Sequence, residues 1–512
     1  MTDLLFILLF VFAGTLYVLL FGLLFRPVAS IYGYIVAWIV FPNGGLHYVN
    51  IAGLTLHALL EPFLAVAVLL ALLRAGRLLP SPTHDSRLRT LLQFALLVLG
   101  VQYTAQLIAY MAGSGMFLDL TETVSVTDRV NVKVGFVFAM GAVSNLSILV
   151  FAMGTVQLLR RWDHLERVML LLFLLSCELV VELILFKFLQ WPSALLPIAF
   201  HPQGAFNSLI LNNYAGVAGV SASGIVAGIY LSRTRRWKGF QLLTPLFVLP
   251  IIYGLERTPL VAIAFVLAYL FYTLAPGSAG VRRLGSFVGV ATVLILIAAV
   301  DIQPAAIINS AYSGTYLEQR ALNLSSVFTR FGLQLRTMDI IAAKAPLGVG
   351  GGMVPYYLSS EDIPSRFVPG GSAAVDVAIE YDRAQSGDKA TTPHNLYLEK
   401  VAEFGPLAVI GLVLLGGLLL SRWNVHQRLS NLLRTRTKWP SALRNKYLLV
   451  TVSWGAILYF ALFYLMETTP NLYVMYWCFI RAVLFPIDVP ATPQHVSPPR
   501  SPAPLPAGRG SA

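Results

Sequence analysis

Long apolar runs separated by short, mostly basic connectors organise this chain. A bilayer core about 30 Å thick is crossed by roughly 20 apolar residues in a helix, and by fewer where protein shields a broken helix. By that measure the runs 4–25, 28–42, 51–73, 91–112, 134–159, 168–190, 208–231, 242–255, 258–274, 286–302, 404–421, 447–467 and 472–488 predict twelve or thirteen spans. Those at 28–42 and 242–255 are short. The fold class that follows is all-α, a polytopic transmembrane helix bundle with one long, partly helical loop at 303–393. Inside that loop the pattern changes. Val327, Phe331, Leu335, Met338 and Ile341 recur at helical spacing over 324–345, with Arg330 and Arg336 off the stripe and Pro346 ending the helix. The glycine-rich run Leu347 to Met353 comes next, and 359–391 is polar and acidic. A loop of this length is expected to be functional, as a lid over a membrane cavity.

Charge assigns sides. Lys and Arg concentrate in cytoplasmic connectors. Arg74 to Arg89, Arg160 to Arg167, Arg233 to Lys238, Arg282 with Arg283, and above all Arg422 to Lys446 mark that face. Alternation then puts 113–133, 191–207, the turn at Arg257 and the whole of 303–393 on the opposite, outer face. The N-terminus lies outside if 28–42 spans and inside if it is re-entrant. Only 12% of residues are charged and 57% are hydrophobic, which excludes an ordinary soluble domain. The net charge of +12 sits in these connectors, so it reads as topology and not as a nucleic-acid surface. Cys177 and Cys478 lie inside apolar runs and indicate no disulfide framework. The first 25 residues lack a basic leader and a cleavage site, and are expected to be a retained helix. The chain divides into N-terminal helices 1–207, central helices 208–302, the outer loop 303–393, a histidine motif with C-terminal helices 394–488, and a Pro/Ser/Ala-rich tail 489–512 expected to be disordered in the cytoplasm.

Polar residues in this apolar setting are the candidates for chemistry, because lipid makes them expensive. Glu256 and Arg257 interrupt an apolar run near the outer face. The guanidinium fork suits an anionic phosphate, while an internal Glu–Arg pair or a snorkelling arginine is the structural alternative. Glu178, Glu182 and Lys187 share one span and either relay protons or make bundle contacts; Glu61 and Arg481 read as bundle contacts. Asn212 and Asn213 cap a helix or bind sugar hydroxyls. His394, between Pro393 and the helix-capping Asn395, is either a general base near neutral pH or a solvated loop residue. The run Gly348 to Gly352 has no following Lys-Ser/Thr, so it is no phosphate-binding P-loop. Zinc-ligand spacing and a Gly-x-Ser-x-Gly elbow are also absent from the sequence.

Three segments together carry a resemblance. Pro393-His394-Asn395-Leu396-Tyr397-Leu398 with Glu403 and Gly405, Arg257-Thr258-Pro259-Leu260, and Arg330 followed by Pro346-Leu347-Gly348-Val349-Gly350 resemble, in order, motifs of the O-antigen ligase and O-antigen polymerase superfamily. These are integral membrane glycosyltransferases of the GT-C class. Asn212-Asn213-Tyr214-Ala215 is a weaker echo, and the likeness covers roughly 208–421. Two positions depart from the pattern: Glu256 stands where the family has serine or glycine, and Pro406 follows Gly405.

The resemblance implies an inverting transfer that uses neither cofactor nor metal ion. A glycan would pass from undecaprenyl diphosphate to an acceptor hydroxyl, of another glycan or of lipid A core, on the periplasmic side of a bacterial inner membrane. It implies His394 as catalytic base and Arg257 and Arg330 as diphosphate ligands. Arg336, Asn213, Gly348, Gly350, Asn395 and Tyr397 are further candidate substrate contacts. Membrane lipids are expected partners and nucleic acid is not. The competing expectation is a lipid-linked glycan transporter or flippase without covalent chemistry, motivated by Glu178, Glu182 and the interrupted helix at 242–274.

Overall fold

The computed structural model describes residues 26–40, 50–51, 54–80, 86–112, 118–127, 130–191, 206, 208, 214–234, 238–254, 257–274, 325–358, 360, 362–368, 371, 375–376, 379, 393–435, 441–465 and 472–485. The expected spans at 4–25 and 286–302, the tail 489–512 and most of 359–391 lie outside these residues.

The described chain is mostly helical. In order run α1 (Pro27–Val40), a short hairpin of β1 (Asn50–Ile51) and β2 (Leu54–Thr55), α2 (Leu56–Arg74), α3 (Ser86–Met111), a second hairpin of β3 (Thr123–Thr127) and β4 (Val130–Lys133), α4 (Val134–Leu158) and α5 (Trp162–Leu183). A π-helical turn, Ile184–Phe188, extends α5. Then come α6 (Tyr214–Thr234), α7 (Gly239–Leu243), a 3₁₀ turn Thr244–Phe247, α8 (Val248–Tyr253) and α9 (Arg257–Leu274). The last group is α10 (Ser325–Lys344), α11 (Val354–Leu358), α12 (Leu396–Phe404), α13 (Pro406–Thr435), α14 (Ser441–Phe463) and α15 (Tyr473–Val483). Among the described residues, six helices are long and apolar enough to cross a membrane: Ser86–Met111, Val134–Leu158, Trp162–Phe188, Ala215–Thr234, Pro406–Ser430 and Ser441–Phe463. Gly239–Tyr253, Thr258–Leu270 and Tyr473–Val483 are shorter apolar helices.

The expectation of an all-helical chain is amended by the two hairpins. In the first, Asn50 lies opposite Thr55. In the second, Thr123 lies opposite Lys133 and Val124 opposite Val132, with a register shift between Ser125 and Thr127. The alternation Thr-Val-Ser-Val-Thr and Val-Asn-Val-Lys has the two-residue period of a strand.

Two cores hold the molecule. The larger unites α1, α2, α4, α5, α6, α8, α9, α14 and α15. Its centre is α6, whose sequence YAGVAGVSASGIVAGIYLSRT is dominated by small residues. A methyl group added at Gly224 would collide with the Ser176 side chain, and one at Gly228 with Thr244. Ser176 Oγ donates across the α5–α6 seam to the Val220 carbonyl at 2.9 Å. In lipid, where helices gain little by hiding apolar surface from one another, such close approach and cross-helix hydrogen bonds drive packing. The second core lies at one end of the bundle. It gathers Tyr110 and Phe138 from α3 and α4, Leu333 and Ile340 from α10, and Val349, Met353, Val354, Tyr357, Ile363 and Ala402 from the segments that follow. The described part of the long excursion, within 325–379, therefore folds against the helix ends on a hydrophobic core of its own.

Candidate functional site

The site is best built from α12. Pro393 is buried, and His394 adopts φ 50°, a conformation that side chains with a Cβ rarely hold. Asn395 then caps the helix, its Oδ1 accepting the Leu398 N–H at 3.0 Å. The entry is pinned from two sides. Leu396 N–H donates to the Tyr464 carbonyl at 3.0 Å, beyond the end of α14. Gln334 of α10 donates to the His394 carbonyl at 3.3 Å. Arg330 lies one turn before Gln334 on the same face of α10, since residues four apart stack, so it shares the side of that helix that meets His394.

At its other end α12 stops at Gly405, with φ 62°, and Pro406 opens α13. The glycine run docks here. Val349 N–H donates to the Ala402 carbonyl at 2.9 Å and Gly350 N–H to the Glu403 carbonyl at 3.1 Å. Gly348 and Gly350 have φ 70° and 95°. A Cβ at Gly348 would strike the Glu403 carbonyl, and one at Gly405 the Pro346 carbonyl. Glycine is thus required by both dihedral and space.

Helix α3 clamps this junction with one polar face. Gln106 Nε2 donates to the carbonyls of Leu347 at 2.8 Å and Glu403 at 2.7 Å. Gln102 Nε2 reaches the Leu347 carbonyl and that of Phe404 at 3.3 Å. Tyr110 OH donates to the Val349 carbonyl at 2.7 Å. Residues 102, 106 and 110 stand four apart, so one stripe of α3 satisfies carbonyls that the turns leave unpaired.

A charged cluster sits under the clamp. Glu403 is fully buried; its Oε2 lies 2.6 Å from Lys400 Nζ, and its Oε1 accepts the Gly352 N–H at 2.7 Å. Lys400 Nζ also reaches Asn145 Oδ1 of α4 at 3.4 Å, and Asn145 Nδ2 donates to Tyr103 OH at 3.0 Å. Burial opposes the charge on Lys400, but the Glu403 and Glu399 carboxylates more than offset it and hold the ammonium above its usual range. Glu399 shows the converse. Burial first, then the neighbouring Glu403 charge, push its carboxyl up to about 8, with Lys400 and His394 pulling the other way.

The remaining candidates separate. Arg336 is buried and spends its guanidinium on the chain itself, donating to the carbonyls of Leu358 at 3.1 Å, Ser360 at 2.6 Å and Ile363 at 2.7 Å, with Asp339 3.8 Å away. Asp339 in turn accepts the N–H groups of Arg366 and Phe367. Arg336 therefore braces the segment 358–367. Tyr397 donates to the Ala461 carbonyl at 3.3 Å and ties α12 to α14. Arg257 is the first residue of α9; its side chain, Glu256 and Asn213 lie outside the described residues. Gly455 of α14 faces Val266 and Leu270 of α9. Inside the bundle, Arg481 donates to the Leu159 carbonyl at 3.1 Å and lies over Phe485, a packing contact. Lys187, in the π-helical turn, lies over the Tyr253 ring. Among the described residues no three His, Cys, Asp or Glu side chains gather as a metal-ligand set.

Of the three resembling segments, the structure brings two into contact, 330–353 and 394–405. Gln102, Gln106, Gln334, Asn145 and Lys400 are the participants that reasoning from charge and motif passes over. Their signal is a polar stripe at four-residue spacing inside an apolar helix, clearest in α3. No family model, curated protein or solved structure matches this chain.

Proposed function

We propose that this chain is a membrane glycosyltransferase that moves a glycan from undecaprenyl diphosphate to a sugar hydroxyl, as an O-antigen ligase or as an O-antigen or exopolysaccharide polymerase. The reaction needs a base at the acceptor oxygen and fixed positive charge at the departing diphosphate. His394 takes the hydroxyl proton as the oxygen attacks the anomeric carbon. The bond from that carbon to the diphosphate breaks, and its electron pair leaves with the lipid carrier. One displacement inverts the anomeric centre. Arg330 and Arg257 offset the charge that develops on the leaving group, and arginine does so because it stays ionised and offers a planar fork. The reaction takes place at the periplasmic face of a bacterial inner membrane, with the lipid tail between helices.

The observation that supports this reading best is the docking of the glycine run on α12, with Gln334 bonded to the His394 backbone one turn from Arg330. Segments some sixty residues apart in sequence, resembling two motifs of one enzyme superfamily, share one end of the bundle.

Purified protein in liposomes without any ion gradient, given undecaprenyl diphosphate carrying the host repeat unit and host lipid A core or a second repeat as acceptor, provides the test. Product from the wild type and none from His394→Ala, at equal insertion, is the expected result. Full product from His394→Ala removes the base. Lipid-linked saccharide that crosses the bilayer without new glycosidic bonds means a transporter instead. Whether core or repeat is extended separates ligase from polymerase.

A further inference from the structure

Asn395 is the cap of α12, which makes His394 the residue just before the cap and Glu399 the fourth residue of the helix. Those are the two positions whose side chains a capped helix start brings together, usually as an apolar staple across the first turn. Here both positions are titratable. The first turn is formed as the staple requires, with Glu399 N–H donating to the Asn395 carbonyl at 3.0 Å and Leu398 N–H to the Asn395 side chain. The positive φ of His394 is strain of the kind that accumulates where a side chain must be aimed. Glu399 Oε2 is buried, and no hydrogen bond reaches it from the described residues. Lys400, the nearest cation on the helix, is already closed on Glu403 at 2.6 Å.

We propose that Glu399 is the proton partner of His394, so that the two act as one carboxyl–imidazole pair. The inference rests on the glycan-transfer reading for its chemistry, but not for the existence of the pair. In the reaction, the acceptor hydroxyl proton moves to one imidazole nitrogen. The proton on the other nitrogen passes to Glu399, directly or through one water, leaving neutral histidine and a neutral carboxylic acid. Glu399 acts through His394 and is a positioning residue. The step uses Glu399 in its ionised form, which gains ground as pH rises through about 8, and a carboxyl pushed up to that value holds the proton more tightly than an ordinary glutamate. The groups around the pair come from several elements: Lys400 and Glu403 on α12, Tyr103 on α3 beside Glu403, and Tyr464 at the end of α14 beside Tyr397, while Arg330 lies one turn before Gln334 on the face of α10 that meets His394. The Arg336–Asp339 pair of α10 is committed to the 358–367 segment.

Two readouts test the pair on the full chain in lipid nanodiscs. The first needs no substrate. With isotope-labelled histidine, the His394 signal is identified by its loss in His394→Gln and titrated in the wild type and in Glu399→Gln. The expected wild-type curve has two steps, one of them near 8 where Glu399 ionises, and Glu399→Gln loses that step, as sites that titrate as a pair require. A step near 8 that survives in Glu399→Gln, or a wild-type curve without one, overturns the proposal, whatever the protein catalyses. The second is the pH profile of transfer from undecaprenyl diphosphate carrying the host repeat unit. Its ascending limb moves to lower pH in Glu399→Gln and the plateau falls several-fold, while Glu399→Asp, which keeps the carboxyl, stays near the wild-type limb. A limb in Glu399→Asp displaced as far as in Glu399→Gln also overturns it. Coupled titration without any transfer would leave the pair standing and sink the glycosyltransferase reading instead.

Discussion

At the scale of single residues, the site depends on backbone conformations that sequence type alone can supply. Gly348 and Gly405 combine positive φ with a carbonyl where a methyl group would go, whereas Gly371 has φ 68° and open space around it. Alanine at Gly371 carries only the dihedral penalty of about 1 kcal/mol, while at Gly348 or Gly405 crowding adds roughly 1–3 kcal/mol more. Thermal melting in detergent of the three variants checks this order. The Lys400–Glu403 pair supplies a second contrast. Replacing Lys400 with Met leaves the fully buried Glu403 carboxylate without its cation, and losses of about 3–5 kcal/mol accompany such a step. The double replacement of Lys400 with Met and Glu403 with Gln recovers part of it. Glu399 titrates in the opposite sense to a salt-bridged carboxylate. Its folded value, about 8, lies above the ordinary 4.5, so the fold binds a proton that the unfolded chain releases. Its contribution to stability is full below pH 4.5 and is lost as pH rises through 8. Glu399→Gln therefore melts with the wild type at pH 4.5 and above it at pH 8.5, by scanning calorimetry at both.

At the scale of elements, the telling arrangement is a membrane helix that serves a loop. The carbonyls of Leu347, Val349, Glu403 and Phe404 belong to turns and a helix end, where the regular helical partner is missing. Gln102, Gln106 and Tyr110 answer them from α3. Gln106→Leu removes one of the two donors that reach each of the Leu347 and Glu403 carbonyls, at about 0.5–1.5 kcal/mol each. Amide hydrogen exchange at residues 348–352 and 402–405 is expected to speed up in that variant, while exchange within α6 stays unchanged. The helix α10 and the cap at Asn395 were legible from local chemistry, whereas the break at Gly405 and the new start at Pro406 fall inside the apolar run 404–421 that reads as one span. The hairpin at 123–133 was legible too, in its two-residue period, but a short alternating stretch between apolar runs is easily read as plain loop.

At the scale of the whole molecule, the bundle turns about α6. Its glycines face Leu472, Ser176 and Thr244 across distances that leave no room for a methyl group. Gly224→Leu is expected to prevent assembly, with loss of the monodisperse peak in size exclusion. By contrast, Gly416 and Gly417 in α13 meet nothing within 4 Å, and alanine at either is expected to raise stability by about 0.5–1 kcal/mol through helix propensity. The same fold carries α3, α10, α12 and the end of α14 to one end of the bundle, where the two cores meet.

What the sequence determined by itself was local in range. Apolar run length dictated helices long enough to cross a membrane, and glycine, proline and asparagine the turns and caps between elements, because each effect acts within a few residues along the chain. Only the tertiary structure decided which polar side chains share a site. Gln106 and Glu403 are 297 positions apart, and Lys400 and Asn145 are 255 apart. No local pattern encodes either pairing. It arises because unpaired carbonyls and charges cannot be left in a dry interior, and the packed helices bring the groups that satisfy them.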